Sequence, residues 1–318
     1  MAEMQQDQIT PLVSVGIPTF NRPDGLRRAL ECLTGQTYRN LEIIVSDNCS
    51  PGSEVHEVVH QYMREDPRIQ FHRQPINNGS EFNFKFVLEQ ATGDYFIWAA
   101  DDDLCKPDMI ATLLSAMEAN PNAALCGCDI IVIDENDRQI RTERLEDIYG
   151  EKEWRKVRYK FFLYPTSNIF FAIYGLYRTN ILRKQREGLL TGWRGLGTNM
   201  EVPFLASLSV TGEIIAVPQA LKFYRSHKDS IYTREMAAIS QLDYFMMKTV
   251  VRLKLLGIAL KAELPFIEKL ELFKAIIISM LNSQMLSLYG HVARRVPSHL
   301  RKPAKKIKNI LSHKLKGK

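Results

Sequence analysis

A chain of 318 residues, 45% hydrophobic and 25% charged, has the balance of an ordinary globular protein and room for one large domain with an extension. Its apolar runs fall short of the roughly 18 residues needed to cross a bilayer. Residues 1–10 lack the basic start and apolar stretch of a secretory leader, so cytoplasmic residence is expected. The net charge of +6 is unevenly placed, since 291–318 holds ten Lys/Arg and no acid. The rest has 32 basic against 36 acidic residues, a body of −4.

In chain order, a flexible start over 1–10 gives way to a β-rich run at 12–17. Leu26, Ala29, Leu30 and Leu33 then recur at helical spacing within 23–35, with Gly35 as a stop. A second strand over 41–46 ends at Asp47-Asn48-Cys49-Ser50-Pro51-Gly52, dense in turn formers. A helix carries Val55, Val58, Val59, Tyr62 and Met63 on one face. A strand at 68–72, a helix at 81–91, a strand at 95–100, a helix at 107–119 opening on Pro107 and a strand at 123–133 follow. Strands alternating with helices at this spacing predict βαβ units and a parallel sheet.

The pattern loosens after 134. A helix is expected at 151–163, a strand at 169–177, a helix at 199–209 and short strands at 214–217 and 220–224. Helical patterns alone fill 236–260 and 265–289. This organisation gives a catalytic domain over 11–230, a helical extension over 231–295 and a basic tail, amphipathic or disordered, over 296–318. Five cysteines (Cys32, Cys49, Cys105, Cys126 and Cys128) show no CxxC pairing and read as reduced.

Three consecutive carboxylates, Asp101, Asp102 and Asp103, close the apolar run 95–100. Mutual repulsion raises their pKa values unless a positive charge intervenes. Mg²⁺ or Mn²⁺, which take carboxylate oxygens and keep room for substrate phosphates, are natural neutralisers. A solvated acidic turn is the plain alternative. Ligands of parallel α/β sheets bind beyond the carboxyl ends of the strands. The first strand ends Pro18-Thr19-Phe20-Asn21-Arg22, the second at Asp47-Asn48, and the third leads to Asn77-Asn78-Gly79-Ser80. With the aspartates these loops suit a nucleoside diphosphate, and Asn78 is counted among the donor-binding residues.

The stretches 13–22, 42–50, 77–79 with Asn83, and 91–103 resemble the family 2 glycosyltransferases in order and spacing. A weaker match runs from 212–214 to 223–227. The resemblance implies a GT-A fold, a Rossmann-like, mostly parallel α/β sheet flanked by helices, here with a C-terminal helical extension. It implies inverting transfer of a sugar from a UDP- or dTDP-sugar to a hydroxyl of a glycan or polyprenyl-linked acceptor, in cell-surface polysaccharide biosynthesis. Pro18, Thr19 and Asn21 would contact the base, and Asp47 would accept the ring N–H of uracil or thymine. Asp101 would meet the ribose, and Asp102, with Asp103 beside it, would hold Mn²⁺ or Mg²⁺. Ala100 stands where many relatives carry another Asp. Glu201, opening a late helix, matches the family's base position, and the alternative is a favourable charge in a helix's first turn. His227 matches a position that approaches the metal or diphosphate in some relatives. Arg225 is a fork donor for phosphate.

Other features carry less. His56 and His60 have metal-ligand spacing but no third ligand nearby. Trp193 and Arg194, in the glycine-flanked 192–197, suggest an acceptor-site lid. Phe266, Leu270, Phe273, Ile277, Leu281 and Leu288 form a stripe expected to pack on the neighbouring helix and the catalytic domain, or to form a homodimer interface. Ile307, Leu311 and Leu315 share a face among tail lysines, which fits a basic helix on an anionic membrane at the inner surface. A sugar-phosphate nucleotidyltransferase needs a glycine-rich loop after the first strand, and 18–22 has no glycine. A dehydrogenase needs GxGxxG, which is absent there. A nucleic-acid partner is not expected, because the body is acidic and no base-stacking motif is present.

Overall fold

Short apolar runs bounded by turn residues become strands covered on both faces. A computed structural model describes residues 10–149, 153–163, 168–185, 201–226 and 239–295. Val13–Thr19 (β1), Leu41–Asp47 (β2), Ile69–Arg73 (β3) and Tyr95–Trp98 (β4) pair in parallel in the order β3-β2-β1-β4. Helices Pro23–Thr34 (α1), Glu54–Glu65 (α2), Gly79–Gln90 (α3) and Met109–Ala119 (α4) alternate with them. Every residue of β1 and β2 is buried, the condition of parallel strands between helical layers. Val13, Val15 and Ile17 pack with Leu26, Leu30 and Leu33 of α1. Ile44, Val87 and Phe96 belong to a second core on the opposite face.

Five more strands extend the sheet beyond β4: Leu104–Cys105 (β5), Ala123–Ile133 (β6), Gln139–Glu143 (β7), Leu176–Arg178 (β8) and Glu213–Arg225 (β9). Their order is β4-β8-β6-β9-β5, with β7 also on β6. β6 and β9 run parallel, while β8, β7 and β5 join antiparallel. The α/β architecture expected from the first half is therefore present, as a mixed sheet whose longest pairings are parallel.

Three local expectations change. Pro107 lies ahead of α4, which starts at Met109 with Asp108 as its N-cap. The strand expected at 169–177 is a 3₁₀ helix, Asn168–Tyr174, followed by the short β8. The two strands expected at 214–217 and 220–224 are one, β9. Its register against β6 shifts between Cys128 and Ile130, opposite Pro218-Gln219, where a proline has no N–H for the ladder.

The short Glu146–Tyr149 (α5) and Thr179–Lys184 (α7) had no clear sequence signal. Trp154–Phe162 (α6) and Glu201–Ser209 (α8) carry the C-terminal helices Gln241–Lys261 (α9) and Phe266–Arg295 (α10). α9 packs on α8 and α10 on α6, and Val251, Leu255, Leu272 and Ala275 share one core with Phe162 and Phe204. Buried Glu268 on α10 receives Arg158 at 2.5 Å and Arg155 at 3.1 Å from α6. Of the apolar stripe, Phe273 packs on the core while Phe266, Leu270, Ile277 and Leu281 are exposed, the Leu288 side chain lies outside the described residues, and Glu268, Leu272, Ala275, Ile276 and Ser279 form the inward face. Among the described residues no helix is long and apolar enough to cross a membrane.

Candidate active site

Strand order reverses between β1 and β4, and a crevice beyond the carboxyl ends of the strands at such a switch point is where open α/β sheets take ligands. β1 and β2 end in register, Thr19 opposite Asp47. Asp47 is fully buried. Its Oδ1 accepts from the Ser50 amide at 3.0 Å and the Ser50 hydroxyl at 2.5 Å. Its Oδ2 accepts no hydrogen bond among the described residues, and Arg73 Nε lies 3.6 Å away. A buried carboxylate oxygen without a donor is costly, and it offers an acceptor to a ligand N–H.

Side chains tie the loops together. The Asn21 amide donates to Ser50 Oγ at 2.7 Å, joining the loops after β1 and β2. Asn21 at φ 55° and Cys49 at φ 63° adopt the left-handed region, which is uncommon outside glycine and marks forced turns. Asn48 Nδ2 donates to Asn77 Oδ1 at 2.8 Å, and the Asn78 amide donates to Asn48 Oδ1 at 3.1 Å, joining the loops after β2 and β3. Buried Asn83 donates to the carbonyls of Ser46 at 2.9 Å and Thr19 at 3.3 Å. Pro18 is buried within β1, and the side chains of Asn21 and Asn78 are exposed.

The three aspartates diverge. Thr19 Oγ1 donates to Asp101 Oδ2 at 2.8 Å, so the aspartate turn lies beside the end of β1. Arg22 Nη1 reaches Asp101 Oδ1 at 3.2 Å and Asp102 Oδ2 at 2.5 Å. Burial, and then the charge of Asp102, push the Asp101 carboxyl up to about 6 despite Arg22 and Thr19. The turn leans on α1, where a Cβ on Gly25 would stand 2.5 Å from the Asp101 carbonyl oxygen. Asp103 points inward: Oδ1 accepts from the Arg225 amide at 3.0 Å, and Oδ2 lies 3.3 Å from Lys222 Nζ. Both side chains of that ion pair are 4% exposed. The expectation of Asp103 as a metal ligand therefore gives way to a buried pair with Lys222, whose ammonium also stands 4.6 Å from the Tyr174 ring centre. Arg225 differs too. Its guanidinium donates to the carbonyls of Asp102 (3.1 Å) and Asp134 (2.9 Å) and to the Asp137 carboxylate (2.6 Å), so it braces the aspartate turn against the β6–β7 turn and has no fork left for phosphate.

Glu201 opens α8 and is partly buried, and burial raises its carboxyl above the ordinary range. It shares a neighbourhood with the aspartates. The phenol of Tyr224 is raised by burial and then by Asp103, Asp102 and Glu201. The phenol of Tyr174, its ring 5.8 Å from that of Tyr224, is raised by burial, then by Tyr224, and after these by the same three carboxylates. Sequence reasoning gave no role to Arg22, Ser50, Lys222, Tyr174 or Tyr224; only Arg22 had a signal, its place in the loop after β1. His227, Trp193 and Arg194 lie outside the described residues. His56 and His60 stack on each other at 4.0 Å and edge onto Phe71.

Among the described residues no three Asp, Glu, His or Cys side chains converge to enclose a metal ion. The donor set still fits a hard cation. Asp101 and Asp102 present carboxylate oxygens beside one another, and the first is raised in pKa by burial and then by its neighbour's charge. Mg²⁺ and Mn²⁺ commonly take one or two carboxylates and complete their shells with phosphate and water.

The family model described as Glycosyl transferase family 2 matches residues 14–185, more than half of the chain. A Salmonella typhimurium protein named abequosyltransferase RfbV is 34% identical over 142 residues, 42% of this chain and 42% of that protein. A Campylobacter jejuni protein named GalNAc(5)-diNAcBac-PP-undecaprenol beta-1,3-glucosyltransferase is 35% identical over 105 residues, 33% of this chain and 34% of that protein. The matched stretches span 16% to 44% of the length of the curated relatives. Among solved structures, S. aureus TarS 1-349 in complex with UDP-GlcNAc superposes with a TM-score of 0.62 at 15% identity, covering 92% of this chain and 78% of that one. A mannosyltransferase, PcManGT from Pyrobaculum calidifontis, in complex with GDP-Man and Mn²⁺, gives 0.52 at 15% identity, covering 96% and 81%. At these identities the structural likeness speaks to the fold.

Proposed function

The chain belongs to glycosyl transferase family 2 and has the GT-A fold, and on that premise we propose that it is a metal-dependent, inverting enzyme using a UDP- or dTDP-sugar. The acceptor in this reading is a hydroxyl of a glycan or a polyprenyl-linked sugar, and the setting is cell-surface polysaccharide synthesis on the cytoplasmic side of the membrane. The observation that carries the donor assignment is Asp47 Oδ2, buried and without a hydrogen-bond donor at the carboxyl end of β2. The N3–H of uracil or thymine satisfies it. Cytosine has no N3–H and offers only its 4-amino group to the same oxygen.

Pro18, Asn21 and Asn78 border the base side of this cleft, and Thr19 acts through Asp101. Asp101 would meet the ribose, and Asp102 would hold the cation. Bound there, Mn²⁺ or Mg²⁺ supplies charge neutralisation for the leaving diphosphate. Glu201 takes the proton of the acceptor hydroxyl as its oxygen attacks the anomeric carbon. The bond from that carbon to the phosphate oxygen breaks on the opposite side, and its electron pair leaves with the nucleoside diphosphate. A pKa raised by burial brings Glu201 nearer to neutral pH, where a general base works best. The undecaprenol-linked acceptor in the name of the Campylobacter relative supports the lipid-linked class.

A thermal-shift screen of UDP, dTDP, GDP and CDP with Mn²⁺ tests the donor assignment. UDP and dTDP are expected to raise Tm most. Asp47→Asn, which keeps an oxygen for Ser50 but turns the second acceptor into a donor, is expected to weaken UDP binding by about 10- to 100-fold. An equal response to GDP, or an unchanged Asp47→Asn, would overturn it.

A further inference from the structure

The C-terminal helices are apolar on two opposite sides. Met247, Val251, Leu255 and Ala259 of α9 are buried. Half a turn away, Phe245, Leu253 and Leu260 are 60%, 62% and 58% exposed. On α10 the inward side holds Leu272, Ala275 and Ile276, while Phe266, Ile277 and Leu281 are 74%, 56% and 54% exposed. Helical periodicity aligns each set on one face. Large side chains this exposed, repeated along one face of each of two packed helices, are of the kind that marks an interaction surface.

Charge names the occupant. Residues 239–318 hold sixteen Lys/Arg and four Asp/Glu, a net of +12, which leaves −6 for residues 1–238. The excess follows directly on α10, which ends in Arg294-Arg295, and continues with eight Lys/Arg and no acid over 296–318. A second copy on this face would bring two strongly positive segments together. An anionic bilayer brings opposite charge to the basic residues and apolar volume to the leucines and phenylalanines, the pairing that interfacial helices use. The acidic remainder is repelled by the same surface, which sets the orientation.

We infer that the outward faces of α9 and α10 dock the protein on an anionic lipid surface, to which the net positive charge of residues 239–318 draws it. Among the described residues no helix is long and apolar enough to cross a membrane, and no residue of this surface is assigned to the donor site, so the inference stands whether or not the donor assignment does.

Flotation of the full chain with phosphatidylcholine vesicles, with and without phosphatidylglycerol, tests it without any turnover. The protein is expected to float with the anionic vesicles and to be released in part by high salt. Leu253→Gln with Ile277→Gln removes apolar contact without adding charge or touching the core, and is expected to lower the bound fraction by about tenfold or more. Lys305→Gln, Lys306→Gln and Lys308→Gln together are expected to weaken binding and flatten its salt dependence. Failure of the native chain to float, or equal flotation of the Leu253/Ile277 variant, overturns the inference. So does light scattering that shows a dimer which the same variant dissociates while vesicle binding stays unchanged.

Discussion

Asp47 is fully buried and Glu201 partly so, and the proposed function uses the two carboxylates in different ways. Asp47 is held by two donors from Ser50 on one oxygen, which leaves the other as a fixed acceptor. Burial raises the pKa of Glu201, only partly offset by its own backbone amide. A base is active when it has lost its proton, so the rate is expected to climb with pH through a pKa above that of an ordinary carboxylate, and the acid limb of the kcat profile reads it. Glu201→Gln is expected to leave donor affinity by calorimetry unchanged and to lower kcat by roughly 10²- to 10⁴-fold. Near-normal turnover would remove Glu201 from the reaction.

At the scale of elements, the packing of α1 on the aspartate turn is the sensitive contact. Gly25→Ala would add about 1 kcal/mol of helix propensity, yet its methyl would meet the Asp101 carbonyl oxygen at 2.5 Å. A backbone oxygen cannot rotate away, and overpacking of this kind costs about 1–3 kcal/mol, so the clash wins. A lower Tm and weaker UDP binding are the expected outcome, and an unchanged protein would mean that α1 shifts freely. The parallel first half was legible in the sequence because continuous apolar runs ending in Asn, Asp, Gly and Ser announce buried strands and their ligand-facing loops. The pair Asp103–Lys222 and the brace made by Arg225 were not, since both depend on β5 and β9 meeting across more than 100 residues of chain. The run 169–177 misled because apolar residues without strict alternation suit a strand or a buried 3₁₀ turn equally well. The outward stripe of α10 was illegible for a related reason: a helix apolar on two sides does not declare which side faces the core.

For the whole molecule, the joint between the helical extension and the sheet domain rests on a shared core and on Glu268. Its carboxylate is buried between Arg158 and Arg155, and Arg158 also donates to the Ser209 carbonyl at 2.8 Å, tying α8 to the same point. Glu268→Ala would strand a largely buried guanidinium, a loss of about 2–4 kcal/mol. Urea denaturation is expected to show it, with Glu268→Gln losing less because an acceptor stays in place. Equal losses for the two would mean that packing, not the ion pair, holds the joint.

Arg22 already spans the two carboxylates beside which a cation would settle. A guanidinium and a divalent ion exclude one another there, by charge and by volume. On the proposed function Arg22 would have to swing aside, with a donor diphosphate as its new partner, and ion and nucleotide would then help each other in by the same factor, whichever arrived first. Without nucleotide such a site would be biased against scavenging stray metal.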